Sequence, residues 1–299
     1  MVGSKSFNSN VTVLVFLLPS LVGFMIFILA PTIATVGLSF TNYSGGSNHT
    51  FVGIRNYVTA FSSARFLNAL EVTFRFVLFS VIFQLGLGLF FALLLNGNLV
   101  GKTVFRGLFF VPVVLSNIAV SLAFMLLLNP RRGPINQFLV SMGLDAQPWL
   151  TSPSTALATI IGITVWQSFG YFMVIFIAGL QTISPSLYEN ADLDGASRLQ
   201  KLKSITLPML TPTTFFAVTI AIIRGFQVFD QVFMMTGGQD GGGPSGSTSV
   251  LVFVIYRNAF ANFQMGYASA QATVLLVMVL LITVAQYRGQ KRWVNYDLA

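Results

Sequence analysis

The sequence of 299 residues contains no cysteine, a single histidine and few charged residues. Without cysteine the chain has no disulfide or thiol chemistry, and its redox compartment is left open. Without clusters of histidine and cysteine it lacks the usual ligands of zinc or haem sites, which argues against a metalloenzyme. Charged residues make up 8% of the chain, whereas a soluble domain carries roughly a quarter, and 55% of the residues are hydrophobic. This composition is typical of a membrane protein.

Hydrophobic runs long enough to cross a bilayer recur along the chain. A hydrocarbon core about 30 Å thick is crossed by roughly 20 residues of helix. The first run follows Lys5 but is too long for the apolar core of a signal peptide, roughly 7–15 residues, so we expect it to stay in the membrane. The run at 250–260 is too short to span, and we interpret it as a helix at the interface. The predicted spans are residues 11–38, 70–95, 107–128, 154–180, 207–235 and 267–286.

These spans predict an all-α integral membrane protein with six transmembrane helices in a single domain, residues 1–299. Several spans contain proline, which either breaks a helix beside a cavity or makes a simple kink packed by its neighbours. The prolines concerned are Pro19, Pro31, Pro112, Pro208 and Pro212.

The basic residues orient the predicted helices. If the N-terminus is cytoplasmic, nine Lys and Arg residues lie on the inner side and five on the outer side. Because cytoplasmic loops carry an excess of Lys and Arg, both termini are expected in the cytoplasm. The same loops account for the net charge of +8, so nucleic acid is not an expected partner. The inner residues are Lys5, Lys102, Arg106, Arg198, Lys201, Lys203, Arg288, Lys291 and Arg292; the outer ones are Arg55, Arg65, Arg131, Arg132 and Arg257.

The connection between the fourth and fifth spans, residues 184–208, is polar and predicted to be cytoplasmic. A helix begins there, with either Ser184 as its cap before Pro185 or a capping box from Ser186 to Glu189. Gly195 is suited to end it, because glycine adopts a left-handed cap without strain. A second helix should follow, with Leu199, Leu202 and Ile205 along one face. The expected product is a helix-turn-helix at the membrane surface.

The residues Glu189-Asn190-Ala191, then Gly195, then Ile205-Thr206-Leu207-Pro208 resemble the EAA loop of ABC importer permeases. The resemblance implies a cytoplasmic coupling helix that docks into a groove on an ATPase subunit. Asn190 departs from the alanine usual in the family, which leaves the contact there open. The residues implied in ATPase coupling are Glu189, Asn190, Ala191, Asp194, Gly195, Arg198, Leu207 and Pro208.

Further motifs extend the resemblance to the sugar branch, similar to maltose and glycerol-3-phosphate permeases, over almost the whole chain. The family implies a type I importer fold in a bacterial cytoplasmic membrane. Its partners would be a second, usually different, permease chain, two ATPase subunits that bind ATP and Mg, and an extracytoplasmic substrate-binding protein. These motifs are Phe51-Val52-Gly53, Asn56-Tyr57, Phe105-Arg106, Pro112, Gly133, Asn136, Trp149-Leu150, Phe229-Asp230 and Thr236-Gly237-Gly238.

The chain is not expected to be an enzyme or to bind a cofactor of its own. Gly101-Lys102-Thr103 is similar to the end of a phosphate-binding loop, but Asn96 stands where the spacing requires glycine. A membrane-embedded enzyme would need a nucleophile with a base or a metal cluster, and His49 is the sole histidine. ATP hydrolysis is therefore assigned to partner subunits.

Polar residues within the spans are candidates for the substrate path, because hydrocarbon penalises unpaired polar groups. The alternative is that they make hydrogen bonds between helices. Glu71 and Arg75, four residues apart with Glu first, are interpreted as a structural ion pair. The candidates are Gln84, Asn117, Ser121, Gln167, Tyr171, Arg224, Gln227 and Asp230.

Arg224 leaves its partner open. On an ideal helix Asp230, six residues later, points about 120° away, so Arg224 is expected to meet another helix, a second permease or an anionic substrate. We favour ATP-driven, binding-protein-dependent import of a sugar or glycoside, because amides, hydroxyls and aromatic rings suit such a ligand. The alternatives are import of glycerol-3-phosphate or another polyol derivative, whose phosphate Arg224 could bind, and ion-coupled secondary transport with Asp230 as the intramembrane carboxylate.

Overall fold

The structure is a computed structural model that describes residues 9–46, 49–97, 99–237 and 242–294. Over these residues the chain is helical, and it contains no strand beyond an isolated antiparallel bridge between Thr41 and Phe51. The helices are α1 (Ser9–Phe24), α2 (Ala30–Leu38), α3 (Arg55–Ser62), α4 (Ala64–Asn96), α5 (Lys102–Val114), α6 (Asn117–Leu127), α7 (Pro134–Ser141), α8 (Ala156–Gln181), α9 (Pro185–Leu193), α10 (Arg198–Lys201), α11 (Leu207–Met209), α12 (Thr211–Phe226), α13 (Asp230–Thr236), α14 (Leu251–Tyr256) and α15 (Met265–Gly289). Turns of π-helix lie at Met25–Leu29, Leu202–Thr206 and Arg257–Ala261, and 3₁₀ turns at Pro244–Gly246 and Gln290–Arg292.

In the described part of the chain, five helical segments are long and apolar enough to cross a membrane, or six if one bent pair counts as a single span. The prediction of an all-helical, multi-pass membrane fold is confirmed. The run at 250–260 forms α14 and the π turn after it, and its position at the interface stays a prediction. The segments are Phe16–Leu38, Ala64–Asn96, Ala156–Gln181, Thr211–Thr236 and Met265–Arg292, with the pair Lys102–Val114 and Asn117–Leu127.

Two of the predicted spans are broken. The span at 107–128 consists of α5 and α6, whose axes are bent by 94°. Pro112 lies in the last turn of α5, and Leu115 and Ser116 are extended, with ψ angles of 143° and 132°. The span at 207–235 is likewise divided, between α12 and α13, around Gln227 and Phe229. Both breaks free backbone groups that need partners elsewhere.

The chain forms two compact units. One comprises Met1–Ser62 with Ile255–Val274, and the other Ser63–Val254 with Leu275–Ala299. In the first, Asn56 Nδ2 donates to the carbonyl oxygens of Ser39 and Thr41, both at 2.8 Å, and Tyr57 Oη lies 2.6 Å from Ser39 Oγ. The Asn56-Tyr57 motif therefore fastens the loop after α2. The prediction of a single domain over residues 1–299 stays a prediction.

The second unit is built on α4 and α8, which pack along their length. A Cβ added at Gly88 of α4 would lie 2.8 Å from Phe172 Cβ, so glycine is what allows this close approach. Gly170 of α8 is equally close to the backbone of Phe109 in α5, and Gly179 to Thr213 in α12. Glycines on α4 and α8 thus set the distances between α8 and three neighbouring helices.

Candidate functional site

A cavity of about 340 Å³ lies in the second unit, where the two helix breaks meet. Six of the eight residues predicted for the substrate path line it: Gln84, Asn117, Gln167, Arg224, Gln227 and Asp230. The rest of its lining is Phe76, Val113, Thr164, Ser168, Phe172, Gly225, Val228, Phe229 and Gln231. Its surface combines carboxamides and hydroxyls with aromatic rings, one guanidinium and one carboxylate.

The breaks bring the first residues of two helices together. Asn117 begins α6 and Asp230 begins α13, and Asn117 Nδ2 donates to Asp230 Oδ2 at 3.0 Å. A carboxylate at a helix N-terminus is stabilised by the unpaired backbone N–H groups there. This hydrogen bond joins α6 to α13 across the cavity wall.

Gln167 of α8 supports both breaks. Its Nε2 donates to the carbonyl oxygen of Leu115, in the extended link between α5 and α6, at 3.1 Å. Its Oε1 accepts from Gln231 Nε2, in the first turn of α13, at 3.4 Å. Gln167 and Gln231 are 5% and 6% exposed. One buried carboxamide therefore satisfies a backbone carbonyl at the first break and holds a side chain in the helix that follows the second.

Arg224 contacts a neighbouring helix. Its Cζ lies 4.3 Å from the ring centroid of Tyr171 in α8, which is a cation–π contact. The expectation that Asp230 is a poor partner for Arg224 assumed a continuous helix, and this premise is wrong because the helix is interrupted between the two residues. Asp230 instead accepts from Asn117. Tyr171 is outside the cavity lining and contacts the Arg224 guanidinium, which is part of that lining.

Ser121 lies apart from the cavity lining. It is fully buried, and its Oγ donates to the carbonyl oxygen of Asn117 at 2.7 Å, one turn earlier in α6. This local bond satisfies the hydroxyl within its own helix. In contrast, the cavity lining includes three polar residues that the sequence did not lead us to predict: Thr164, Ser168 and Gln231. Gln231 follows Asp230 directly, and that polar pair inside an apolar segment was the available signal.

A second feature of this unit is the hairpin of residues 184–208. Helix α9 begins at Pro185 with Ser184 in the cap position, so of the two predicted starts this one is observed. The Ser184 hydroxyl lies 2.8 Å from Ser186 Oγ. Gly195 ends the helix with φ +73°, while the N–H of Ala196 donates to Ala191 O and that of Gly195 to Asp192 O. These two bonds form a Schellman motif.

The second arm of the hairpin differs from the single helix that the sequence predicted. Ser197 and Gln200 form a capping box at the start of α10, a signal that the sequence analysis missed. Leu202–Thr206 is then a π turn, in which the N–H of Leu207 donates to Leu202 O. Because Pro208 has no N–H, the regular ladder cannot continue through it, and the wider turn precedes it.

Two contacts brace the arms of the hairpin. Lys201 Nζ lies 2.6 Å from Asp192 Oδ1, and Tyr188 Oη lies 2.9 Å from Thr206 Oγ1. Tyr188 and Ile205 also pack on the buried core of the unit. The hairpin is therefore tied internally and anchored to the helices that surround the cavity.

The outer face of the hairpin is exposed. Of the residues predicted for ATPase coupling, Glu189, Asn190, Asp194, Gly195, Arg198 and Leu207 are exposed, and Ala191 and Pro208 are half-buried. Two further leucines stand at its tip, Leu193 with 87% and Leu199 with 59% of their surface exposed. Apolar side chains held out among charges on a rigid support are typical of a protein-binding surface.

Comparisons with known proteins place the chain among transport proteins. The family described as "Binding-protein-dependent transport system inner membrane component" matches residues 84–294. The chain is 37% identical over 293 residues to the probable ABC transporter permease protein YesP of Bacillus subtilis (strain 168), covering 97% of this chain and 94% of YesP. It is 33% identical over 279 residues to the multiple sugar-binding transport system permease protein MsmF of Streptococcus mutans, covering 93% and 94%.

A solved structure supports the fold. A chain of the bacterial alginate ABC transporter, in complex with an alginate pentasaccharide-bound periplasmic protein, superposes with a TM-score of 0.84. The alignment covers 95% of both chains at 24% sequence identity. At this identity the likeness establishes the shared fold.

Proposed function

The chain belongs to the family of inner-membrane components of binding-protein-dependent transport systems, and we propose that it is the permease subunit of an ATP-driven importer of a sugar or glycoside. Its task is to form the path through the membrane and to change the accessibility of that path when a partner ATPase binds and hydrolyses ATP. The observation that carries the proposal is the braced, exposed hairpin anchored to the helices around the cavity.

The chemistry of the cavity supports a sugar or glycoside as substrate. Such ligands present hydroxyl groups that donate and accept hydrogen bonds, and carboxamides such as those of Gln84 and Gln227 can do both. Phe229 adds an aromatic surface for the apolar face of a sugar ring. The names of MsmF, a multiple sugar-binding system permease, and of the alginate transporter fit this substrate class.

A second substrate class is favoured by Arg224. Its guanidinium lines the cavity, and such a group binds phosphate or carboxylate oxygens well. Glycerol-3-phosphate or another anionic polyol derivative is therefore the alternative substrate. Stimulation of ATP hydrolysis by neutral sugars, acidic glycosides and glycerol-3-phosphate, each with its binding protein, distinguishes the two classes.

The hairpin supports transmission of force from the ATPase. We place it in the cytoplasm, with both termini on the same side, as the distribution of basic residues indicates. The residues of its outer face, from Glu189 to Arg198, would contact the ATPase, and Leu207 and Pro208 would join the hairpin to α12. The complete assembly would contain a second, different permease chain, two ATPase subunits that hold ATP and Mg, and an extracytoplasmic binding protein.

The decisive experiment replaces the exposed tip of the hairpin. Leu193→Glu removes an apolar side chain that is 87% exposed, so it changes the surface and leaves the core intact. We expect substrate-stimulated ATP hydrolysis by the reconstituted complex to fall by about tenfold or more, as at the centre of an interface. Val100→Glu is the matched control, because Val100 is 96% exposed in a different connection.

Uptake should fall together with ATP hydrolysis in Leu193→Glu, while the amount of the chain in the membrane stays constant. Normal substrate-stimulated hydrolysis in this variant, or equal losses in Leu193→Glu and Val100→Glu, would refute the assignment of the hairpin as the ATPase contact.

A further inference from the structure

A second concave surface lies outside the cavity, in a groove of about 730 Å³ between α4 and α8. Its floor is buried and apolar and includes Val72, Ile161 and Val165, which are 6%, 7% and 6% exposed. Phe79 and Phe83 of α4 rise along one side and are about half exposed, at 45% and 53%. The groove is therefore open along its length to whatever surrounds the helices.

One end of the groove is polar. Glu71 and Arg75 stand there, and Arg75 Nη2 lies 2.5 Å from Glu71 Oε1. Both side chains remain accessible, with 59% of Glu71 and 62% of Arg75 exposed. The ion pair predicted from the sequence is thus present, and it retains donors and acceptors that a ligand can use.

The described residues of the loop before α14, 242–250, complete this polar end. Asn68 Nδ2 donates to the carbonyl oxygen of Gly246 at 3.0 Å, and Thr73 Oγ1 accepts from the N–H of Leu251 at 2.8 Å, so the loop is fixed to α4 on both sides. Ser247 lines the groove, and its Oγ is buried without a hydrogen-bond partner among the described residues. Because this oxygen is buried, the loop supplies part of the wall of the polar end, and the accessible donors there are those of Arg75.

The dimensions match one leaflet of a bilayer. From Arg75 to Leu87, the last residue of α4 in the groove, twelve residues rise by about 18 Å. Half of the hydrocarbon core is about 15 Å. The groove from Arg75 to Leu87 is therefore about as long as one leaflet of the hydrocarbon core is deep.

We propose that this groove binds one phospholipid with a phosphoethanolamine headgroup, with its phosphate at Arg75, its ammonium at Glu71 and an acyl chain along Phe79 and Phe83. The guanidinium donates to phosphate oxygens, and the Glu71 carboxylate accepts from the ammonium group. This headgroup carries both charges with hydrogen-bond donors on its amine. A choline headgroup lacks those N–H donors, and a glycerol headgroup lacks the positive charge.

The test measures lipid retention by the complete transporter complex. We would purify the complex in mild detergent, exchange it into lipid nanodiscs of equal parts phosphatidylethanolamine, phosphatidylcholine and phosphatidylglycerol, extract it again, and count bound lipids by native mass spectrometry. We expect one phosphatidylethanolamine to be retained per copy of this chain. Arg75→Gln should lower this retention by about tenfold and remove the preference over phosphatidylcholine.

Gly162→Leu provides a second variant that fills the groove. Gly162 lines the groove, and a Cβ there meets no atom within 4 Å, so leucine adds apolar bulk at the groove wall without a clash at its Cβ. Retention of every lipid should then be lost. Gly107→Leu, on α5 and also free of neighbours within 4 Å, is the matched control and should behave as the unmodified chain does.

Retention that is equal in the unmodified chain, Arg75→Gln and Gly162→Leu would overturn the proposal. So would occupancy by protein, which can be tested because the chain has no native cysteine. A cysteine introduced as Gly162→Cys that crosslinks efficiently to a partner permease in native membranes would assign the groove to a subunit interface. Because lipid retention is measured without transport, its failure is distinguishable from failure of the proposed function.

Discussion

A substitution of Gln167 measures how much its hydrogen bonds at the two helix breaks contribute to the free energy of unfolding. Replacing it by leucine, which is similar in size, removes the donor to Leu115 O and the acceptor for Gln231 Nε2 without opening a large cavity. Both partners would remain without these bonds, and Gln231, which lines the cavity, is 6% exposed. The variant therefore isolates the hydrogen bonds from the packing.

The expected loss of stability is about 1–3 kcal/mol. A buried polar group left without its partner costs about 1–3 kcal/mol, and hydrogen bonds measured between membrane helices average about 0.6 kcal/mol each. The bond to Leu115 O, at 3.1 Å, should contribute more than the bond from Gln231, at 3.4 Å. Gln167→Leu combined with Gln231→Leu should therefore show a coupling energy of only about 0.5 kcal/mol.

The assay is reversible unfolding of the purified chain in mixed micelles, with Gln181→Leu as the matched control. Gln181 is the last residue of α8 and is exposed, so the same substitution there removes no buried contact. A Gln167→Leu variant whose free energy of unfolding lies within about 0.3 kcal/mol of this control would refute the reasoning, because the breaks would then need no support from α8.

Three further predictions concern the cavity, the hairpin and the source of energy. Tyr171→Leu removes a cation–π contact worth about 0.5–2 kcal/mol and should raise the substrate concentration that half-maximally stimulates ATP hydrolysis several-fold, whereas Tyr171→Phe keeps the ring and should change little. Gly195→Ala places a side chain at φ +73°, which costs about 1–2 kcal/mol, so hydrogen exchange in α9 should accelerate. Gly289→Ala, at φ −69°, is the control. Unchanged exchange in the Gly195→Ala variant would contradict the Schellman cap. Uptake should persist when the proton gradient is collapsed and ATP is maintained, and its loss would favour secondary transport.

Local signals in the sequence were sufficient where the backbone preferences of neighbouring residues determine the structure. The start of α9 at Pro185 and its end at Gly195 follow from backbone preferences that need no distant partner. The overall pattern of apolar segments likewise predicted the helical membrane fold. The capping box of Ser197 and Gln200 was equally visible and was missed.

Tertiary contacts explain what the sequence could not supply. Apolar composition runs unbroken through Leu115, so hydropathy alone predicts one span where the structure has two helices bent by 94°. Pro112 indicates that the helix is disturbed there, but it does not indicate how far the helix axis bends. Likewise, the partner of Arg224 is Tyr171, more than fifty residues away, and its approach depends on how α8 packs beside α12.

The joined breaks have a mechanical consequence. Since Asn117 holds Asp230, a rotation of α6 about the extended residues Leu115 and Ser116 draws α13 with it. Such a hinge turns on backbone dihedral angles and leaves the hydrogen bonds inside each short helix unbroken. In such a rotation α6 and α13 would move together relative to α8, and the hydrogen bonds of the Gln167 carboxamide would have to break.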